Sequence, residues 1–250
     1  MKIAIVGSGI SGLACAHLLK KDHEIILFEA ATKAGGHVNT VEVTGKTGTF
    51  QVDTGFIVFN EQNYPNFVRL LDLLGVESQD TRMGFSVRSD QLGLEYSGES
   101  FRGLFGHLRN LTDLLHWKMA LDIMRFHKLA AEKTKGSQTV DQFLKTHGFG
   151  NRFKECFILP LGAALWSCST TRFGEFPMEF VTSFLENHSM LQVADRPVWR
   201  VLKGGSRTYV DQIVSQLGDR IRLNAGVKKV TRTEDRVELS FPDGTSQIFD

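Results

Sequence analysis

The chain has 250 residues, 42% of them hydrophobic and 23% charged, and its formal net charge is +1 at pH 7. This balance is that of an ordinary globular protein, which argues against a disordered chain, and the small net charge argues against a nucleic-acid partner. Three widely spaced cysteines, Cys15, Cys156 and Cys168, fit neither a zinc site nor a disulfide framework, so we predict no metal and a reducing, cytoplasmic compartment.

The first residues carry the pattern of a nucleotide-binding turn. Residues 2–6 predict a buried strand, and residues 13–19 predict a helix. Between them lies G-x-G-x-x-G, which carries weight when it joins a strand to a helix. The first glycine makes a tight turn, the second admits a pyrophosphate and the third lets helix and strand pack closely. The predicted cofactor residues of this turn are Gly7, Ser8, Gly9, Ile10, Ser11 and Gly12. The alternative is a glycine-rich turn without a ligand.

A second predicted strand, residues 24–29, ends at Glu29 and is followed by Ala30. An acidic residue at this place accepts hydrogen bonds from a ribose 2′-hydroxyl and repels a 2′-phosphate. We therefore predict that Glu29 and Ala30 contact the ribose end of a dinucleotide other than NADP.

The segment after this strand helps to decide which dinucleotide is predicted. Residues 34–40 read Ala-Gly-Gly-His-Val-Asn-Thr, in which two adjacent glycines let the backbone pass close to a ligand. The segment resembles the "GG-R-x-x-T/S" stretch of the flavin-dependent amine oxidase superfamily, and the resemblance implies that Gly35, Gly36 and His37 contact FAD. Family members carry Arg where this chain has His37, so the fixed positive charge is absent. The alternative is an ordinary flexible loop.

Residues 40–44 and 49–53 predict a hairpin, after which Asp53-Thr54-Gly55 resembles the superfamily's "D-x-G" step. The resemblance implies that Asp53 and Gly55 lie beside the flavin. A simple Asp-Thr-Gly turn is the alternative.

The middle of the chain predicts mainly helices. Long helices are predicted at residues 64–74, 101–132, 152–166 and 173–187, and a short helix is predicted to begin with a capping box at 139–142. Gly75 is expected to be the left-handed cap of the first helix, and Pro160 and Gly162 are expected to kink the helix at 152–166. Residues 82–88 and 91–96 predict a strand pair. The helix at 101–132 is amphipathic and basic and contains Trp117, which fits either a peripheral membrane contact or the inner face of a helical domain.

The chain contains 19 phenylalanines and three tyrosines, with many phenylalanines in the predicted helical region. This composition predicts either a cavity for an apolar small-molecule substrate or a well-filled core. Ser167 and Cys168 lack the glycine-flanked elbow of a nucleophile, so no catalytic residue is predicted.

The last part of the chain predicts a helix at 207–217, strands at 220–223 and 225–230, and a hairpin of residues 236–241 and 245–249. With Gly204-Gly205, this order resembles the superfamily segment that returns to the flavin, and it implies that Val227 lies against the adenine end. Residues 160–167, 187–188 and 197–206 resemble the predicted FAD/NAD-binding proteins related to amine oxidases. That group is similar to flavoproteins found alongside cyclopropane-fatty-acid synthase-like enzymes, which implies an acyl-lipid substrate.

These patterns and resemblances together predict an α/β protein with a Rossmann-like FAD-binding domain, residues 1–75 and 196–250, and an inserted, largely helical substrate domain, residues 76–195. The C-terminal part of the family fold is expected to be missing. The predicted function is an FAD-dependent oxidoreductase in which an apolar or amine substrate passes a hydride to flavin N5. Alternatives are a redox-neutral flavin mutase and a non-catalytic nucleotide-binding subunit. The oligomeric state stays open.

Overall fold

The computed structural model describes residues 1–98, 100–131, 137–192 and 197–250. The chain divides into two compact units: unit 1 comprises Met1–Thr81 and Val198–Asp250, and unit 2 comprises Arg82–Pro197. The predicted boundary between residues 195 and 196 lies outside the described residues. The assignment of the two segments to FAD-binding and substrate domains stays a prediction.

Both units contain strands and helices. The strands are β1 Lys2–Val6, β2 Glu24–Phe28, β3 Thr40–Gly45, β4 Gly48–Asp53, β5 Ser78–Thr81, β6 Ser86–Ser89, β7 Leu94–Ser97, β8 Trp199–Leu202, β9 Ile221–Arg222, β10 Lys229–Arg232, β11 Val237–Ser240 and β12 Ser246–Phe249. The helices are α1 Ile10–Leu19, α2 Pro65–Leu74, α3 Phe101–Leu104, α4 Leu108–Thr112, α5 Leu114–Ala131, α6 Val140–Thr146, α7 Asn151–Phe153, α8 Leu159–Trp166, α9 Thr170–Gly174, α10 Met178–Asn187 and α11 Arg207–Leu217. The predicted α/β fold is confirmed.

Unit 1 is built on a parallel sheet of order β1-β2-β9. The β1–β2 pairing runs from Lys2 opposite Glu24 to Val6 opposite Phe28, and α1 is the crossover between them. Leu13 and Ala16 of α1 are fully buried in the same core as Ile25 and Leu27 of β2. The alternation of strand, helix and strand in the sequence therefore folds into one βαβ unit. The glycine-rich turn lies at the carboxyl end of its first strand.

The last three strands of unit 1, β10, β11 and β12, form an antiparallel sheet. Phe28 contacts both Phe241 and Phe249, with ring centroids 5.2 and 5.9 Å apart. The predicted hairpin of residues 236–241 and 245–249 is confirmed by the β11–β12 register. The strand predicted at 225–230 was placed too early, because β10 begins at Lys229 and the preceding residues form a loop.

The antiparallel pairing of β5 with β8 was not predicted. Ser78 lies opposite Leu202, and the two strands are far apart in the sequence. Arg200 strengthens the pairing because its Nε donates to Ser78 Oγ at 2.9 Å and its Nη1 lies 2.9 Å from Asp80 Oδ1. This pairing joins the two segments of unit 1.

Unit 2 consists of the β6–β7 hairpin and helices α3 to α10. The single helix predicted at 101–132 is wrong within the described residues, because the segment forms three helices, α3, α4 and α5. Gly106 lies between α3 and α4, and Asp113 has an extended backbone at ψ 104. The Asp113 carboxylate accepts from the backbone N–H groups of Leu115 and His116, so it caps α5 and fixes the break. The end of the predicted helix, residue 132, lies outside the described residues.

A π-helical turn, Lys154–Ile158, lies between α7 and α8, and Pro160 follows it in the first turn of α8. The kink predicted at Pro160 and Gly162 stays a prediction. Proline has no N–H, so it cannot donate to the carbonyl of Cys156 four residues earlier. The buried Tyr96 hydroxyl donates to this carbonyl at 2.6 Å. A side chain from β7 therefore supplies the hydrogen bond that the helix lacks.

None of the helices in the described ranges combines the length and the apolar character that a membrane crossing requires. The same ranges contain no group of three or more His, Cys, Asp or Glu side chains arranged to hold a metal ion.

We expect Tyr96→Phe to lower the free energy of unfolding by about 1–3 kcal/mol, because it leaves the buried Cys156 carbonyl without its donor. Urea unfolding followed by circular dichroism measures this loss. Tyr64→Phe is the control, because the Tyr64 side chain is only half-buried. Equal stability of the Tyr96 variant and the wild type would show that the hydroxyl does not support the π-helical turn.

Candidate functional site

The glycine-rich turn lies at the carboxyl end of β1, and the fold itself requires two of its glycines. Gly7 has a φ of +92°, a backbone conformation that side chains other than glycine rarely adopt, and its N–H donates to Phe28 O at 2.8 Å. A Cβ on Gly12 would lie 1.9 Å from Gly7 O. The third position of the motif is therefore glycine because the helix must approach the turn closely.

Gly9 differs from both neighbours in the motif. Its φ of −65° and ψ of 175° are open to any L-residue, and a Cβ built on it would meet no atom within 4 Å. Gly9 is the N-cap of α1, and no side chain caps this end of the helix. The first N–H groups of a helix have no partner within the helix and attract anions. The surface at Gly9 therefore combines open space with unpaired backbone donors.

Ser8 and Glu29 connect the glycine-rich turn to the end of β2. Ser8 is fully buried. Its backbone N–H and its hydroxyl both donate to Glu29 Oε2, at 2.8 and 2.5 Å. Glu29 Oε1 accepts from Ala31 N at 2.8 Å. Both carboxylate oxygens of Glu29 are thus held in place by short hydrogen bonds.

The surroundings of Glu29 act on its pKa in opposite directions. Partial burial raises the pKa of the carboxyl, but hydrogen bonds from the Ser8 side chain and from the backbone of Ala31, Ser8 and Ala30 outweigh burial and lower it below the ordinary value. Glu29 therefore carries a negative charge at neutral pH.

Gly35 and Gly36 lie directly beside this turn. The N–H of Gly35 is 3.1 Å from Ser8 O and 3.2 Å from Ser8 Oγ. Gly35 and Gly36 have φ values of +125° and +59°, and a Cβ on Gly36 would lie 2.7 Å from the Cα of Gly9. The two glycine segments singled out in the sequence are therefore in contact.

His37 and Gly55 are close through their backbones. A Cβ on Gly55 would lie 1.9 Å from His37 O, so only glycine fits at residue 55. The His37 side chain is exposed. The hairpin of β3 and β4 lies between these residues in the sequence and brings them together.

Asp53 is bound to the start of α11. Ser206 N donates to both carboxylate oxygens of Asp53 at 2.9 Å, and the Thr40 hydroxyl donates to Oδ1 at 2.5 Å. A carboxylate at a helix N terminus satisfies free N–H groups and complements the helix dipole. The structure thus gives Asp53 an anchoring role, and its predicted contact with a cofactor stays a prediction.

The loop that contains Val227 lies at the end of β2. Ala225 N donates to Glu29 O at 2.8 Å, and Asn224 N donates to Ala31 O at 3.1 Å. A Cβ on Gly226 would lie 3.2 Å from the Cβ of Ala30. The loop therefore lies against Ala30, and Val227 itself is half-buried beside the Phe28 cluster.

Thr40, Ser206 and Arg207 were not predicted. Arg207 N donates to Thr40 Oγ1 at 3.0 Å, and Arg207 Nη1 donates to the carbonyl of Ala34 at 2.7 Å, just before the glycine pair. Gly204-Gly205 before a helix was the available signal. The partners could not be identified, because Asp53 and Ser206 are 153 residues apart in the sequence.

A shallow cavity of about 330 Å³ lies between α1 and α2. It is mostly apolar and is lined by Ile10, Ala14, Asn63, Tyr64, Pro65, Asn66, Phe67 and Leu70. The predicted site residue Ile10 therefore borders a groove beside the first turn of α1.

We expect Gly12→Ala to lower the free energy of unfolding by at least about 2 kcal/mol, because its methyl group collides with the Gly7 carbonyl. Gly9→Ala is the matched control and should change the free energy of unfolding by no more than about 1 kcal/mol, since its φ and its surroundings accept alanine. Urea unfolding measures both. Equal losses would contradict the different roles assigned to the two glycines.

We expect Glu29→Gln to destabilise the protein at neutral pH, because an amide cannot accept all the hydrogen bonds that reach the carboxylate. Since the pKa of Glu29 is lowered in the folded state, its stabilising effect is present above the unfolded pKa and is lost as the pH falls through the folded value. The difference in unfolding free energy between wild type and variant should therefore shrink on acidification below about pH 4.5. Urea unfolding across this range tests this expectation, with Glu24→Gln at the start of β2 as the control. A difference that does not depend on pH would contradict it.

Comparison with known proteins identifies the family. The family model described as flavin containing amine oxidoreductase matches residues 10–250. The chain is 42% identical to a 4,4'-diapophytoene desaturase (4,4'-diaponeurosporene-forming) of Staphylococcus aureus over 131 residues, which are 46% of this chain and 25% of that protein. It is 50% identical to an L-amino acid oxidase of Cerastes cerastes over 40 residues, 16% of this chain and 8% of that protein.

Solved structures show the same fold. A triple mutant of putrescine oxidase superposes with a TM-score of 0.67 at 20% identity over 98% of this chain and 55% of the other. The wild-type putrescine oxidase bound to putrescine gives a TM-score of 0.65 at 21% identity over 98% and 56%. The chain thus spans about half the length of these structures and matches a quarter of the desaturase. The predicted membership of the amine oxidase superfamily is confirmed: the chain belongs to the family of flavin containing amine oxidoreductases.

Proposed function

We propose that this protein is an FAD-dependent oxidoreductase and that unit 1 binds the FAD. The observation that carries the proposal is the open space around Gly9 at the start of α1. The fold has no need of glycine there, since a Cβ would meet nothing and the backbone angles suit any residue. A diphosphate lying against the backbone at the start of α1 explains why a side chain is absent.

The ribose of the adenosine half would be bound by Glu29. The carboxylate is already held by Ser8 N, Ser8 Oγ and Ala31 N. Glu29 is only half-buried, so its exposed side can face a ribose hydroxyl and accept a bond from it. Its negative charge disfavours the 2′-phosphate of NADP.

The remaining predicted site residues would lie on either side of the glycine-rich turn, some toward the adenine end of FAD and others along its diphosphate. The loop with Val227 lies against Ala30, which favours a place at the adenine end. Gly35 and Gly36 touch the glycine-rich turn, which favours a place along the diphosphate. Gly55 and His37, whose backbones are in contact, would lie beyond Gly36 on the same side of the turn. Asp53 would act indirectly, by fixing the start of α11.

In this proposal unit 1 is a Rossmann-like FAD-binding domain and unit 2 is an inserted, mainly helical substrate domain. Bound FAD would supply a hydride acceptor at flavin N5. The residues of the chain would hold the diphosphate at the N terminus of α1 and the ribose at Glu29, and so orient the cofactor. No general base is assigned among them.

We propose an apolar or amine small molecule as the substrate. Trp166 of unit 2 is surrounded by phenylalanines, with Phe184 at 4.7 Å and Phe180 at 5.7 Å between ring centroids. Phe180 is 50% exposed, so part of this aromatic cluster faces outward. The similarity to a diapophytoene desaturase and to putrescine oxidase supports these two substrate classes.

We expect the purified chain to bind FAD and Gly9→Ala to weaken binding at least about tenfold, because the added methyl group occupies the space of the diphosphate. The fluorescence of FAD on titration with protein measures the affinity. Gly45→Ala is the matched control, since a Cβ at this site in β3 makes only ordinary contacts. NADP should not compete with FAD.

A folded wild-type chain that contains no flavin and does not bind added FAD would contradict the proposal. Equal affinities of Gly9→Ala and the wild type would contradict the place assigned to the diphosphate. Circular dichroism of each variant shows whether the fold is intact.

A further inference from the structure

Unit 2 exposes a set of large apolar side chains on α3, α4 and α5. Six of them are between 57% and 83% exposed, namely Phe101, Leu108, Leu114, Leu115, Leu121 and Met124. We call these six residues the apolar surface of unit 2. Isolated exposed apolar residues are normal, but a concentration on neighbouring short helices indicates an interaction site.

Helix α5 is apolar on two opposite faces. Met119, Phe126 and Ala130 are buried in the core of unit 2. Leu114, Leu121 and Met124 recur at intervals of seven and three residues and so share the other side of the helix, where all three are exposed. The buried side chains pack in the core of unit 2, whereas the three exposed side chains have no partner among the described residues.

The segment that carries this surface is positively charged. Residues 101–131 contain Arg102, Arg109, Lys118, Arg125 and Lys128 against only Asp113 and Asp122. Asp113 forms an ion pair with Arg152 at 2.8 Å, and Asp122 is 5% exposed and lies 3.4 Å from Arg125. Both carboxylates are thus bound within unit 2. Lys118 and Lys128 are exposed on α5 beside the apolar side chains.

Trp117 lies at the edge of this region with its polar group already satisfied. Its ring lies tilted against that of Phe105, with centroids 4.3 Å apart, and its Nε1–H donates to Leu111 O at 3.0 Å. The ring is 38% exposed. Tryptophan is enriched at the level of lipid head groups, and a partly exposed ring beside an apolar surface fits that place.

We propose that the apolar surface of unit 2 docks on an anionic lipid bilayer. Leucine, phenylalanine and methionine side chains would enter the boundary of the acyl chains, while the lysine and arginine side chains extend to the head-group phosphates. A second copy of the chain fits less well, because a two-fold interface would bring the same basic residues face to face. The proposal is independent of FAD binding.

The test is flotation of the purified chain with vesicles of phosphatidylcholine alone and of phosphatidylcholine mixed with phosphatidylglycerol. We expect binding to the anionic vesicles that weakens as salt is added, since exposed charges are screened. The triple variant Leu114→Ser, Leu121→Ser, Met124→Ser should reduce the bound fraction at least about tenfold, as burial of three large side chains is lost. Leu73→Ser, a 60% exposed leucine on α2, is the matched control and should leave binding unchanged.

A second variant separates charge from apolar contact. Lys118→Glu with Lys128→Glu should abolish the preference for anionic vesicles. If the triple variant does not fold by circular dichroism, Leu114→Ser alone, at a side chain 83% exposed, replaces it.

Failure of the wild-type chain to float with anionic vesicles would overturn the proposal. Sedimentation in the ultracentrifuge identifies the other occupant: a wild-type dimer that the triple variant converts to monomer would assign the surface to a second copy. Equal flotation of the wild type and the triple variant would also overturn it.

Discussion

The hydrogen bonds between Ser8 and Glu29 hold the site of unit 1 together. One buried serine gives two donors to one carboxylate oxygen, and its own oxygens lie close to the Gly35 N–H. The glycine-rich turn, the end of β2 and the Gly35-Gly36 segment therefore meet at a single residue. Because Ser8 is excluded from water, these bonds face little competition from solvent. The position of the Glu29 carboxylate depends on this arrangement.

A second carboxylate anchors the rest of unit 1. Asp53 at the end of β4 accepts a hydrogen bond from the backbone N–H of Ser206, the residue before α11. The Thr40 hydroxyl donates to Asp53 and accepts from Arg207 N, the first N–H of the helix. The β3–β4 hairpin is thereby attached to the helix that packs on the core of the parallel sheet. The two carboxylates have different consequences, since Glu29 is half-exposed beside open space whereas Asp53 is directed at a helix terminus.

In unit 2 the same physical need, a partner for each buried backbone group, produces a different solution. Pro160 has no N–H to donate to the Cys156 carbonyl in the preceding π-helical turn, and the Tyr96 hydroxyl donates to that carbonyl instead. The core around this turn uses one face of α5, so the opposite face, with its leucines and its flanking lysines, is presented outward. A stable core and an apolar outer surface therefore belong to the same helix.

The sequence by itself determined the βαβ unit, the close contact required at Gly12 and the left-handed cap at Gly75, because those features depend on residues near one another in the chain. The order of elements was also sufficient to indicate an α/β fold, and the resemblance of the glycine-bearing segments to known motifs indicated the family. Only the tertiary structure decided the β5–β8 pairing, the binding of Asp53 to α11 and the role of Tyr96, because each joins residues distant in the sequence. It also decided which apolar side chains of α5 are buried, since the sequence predicted an amphipathic helix but not which side chains meet the core.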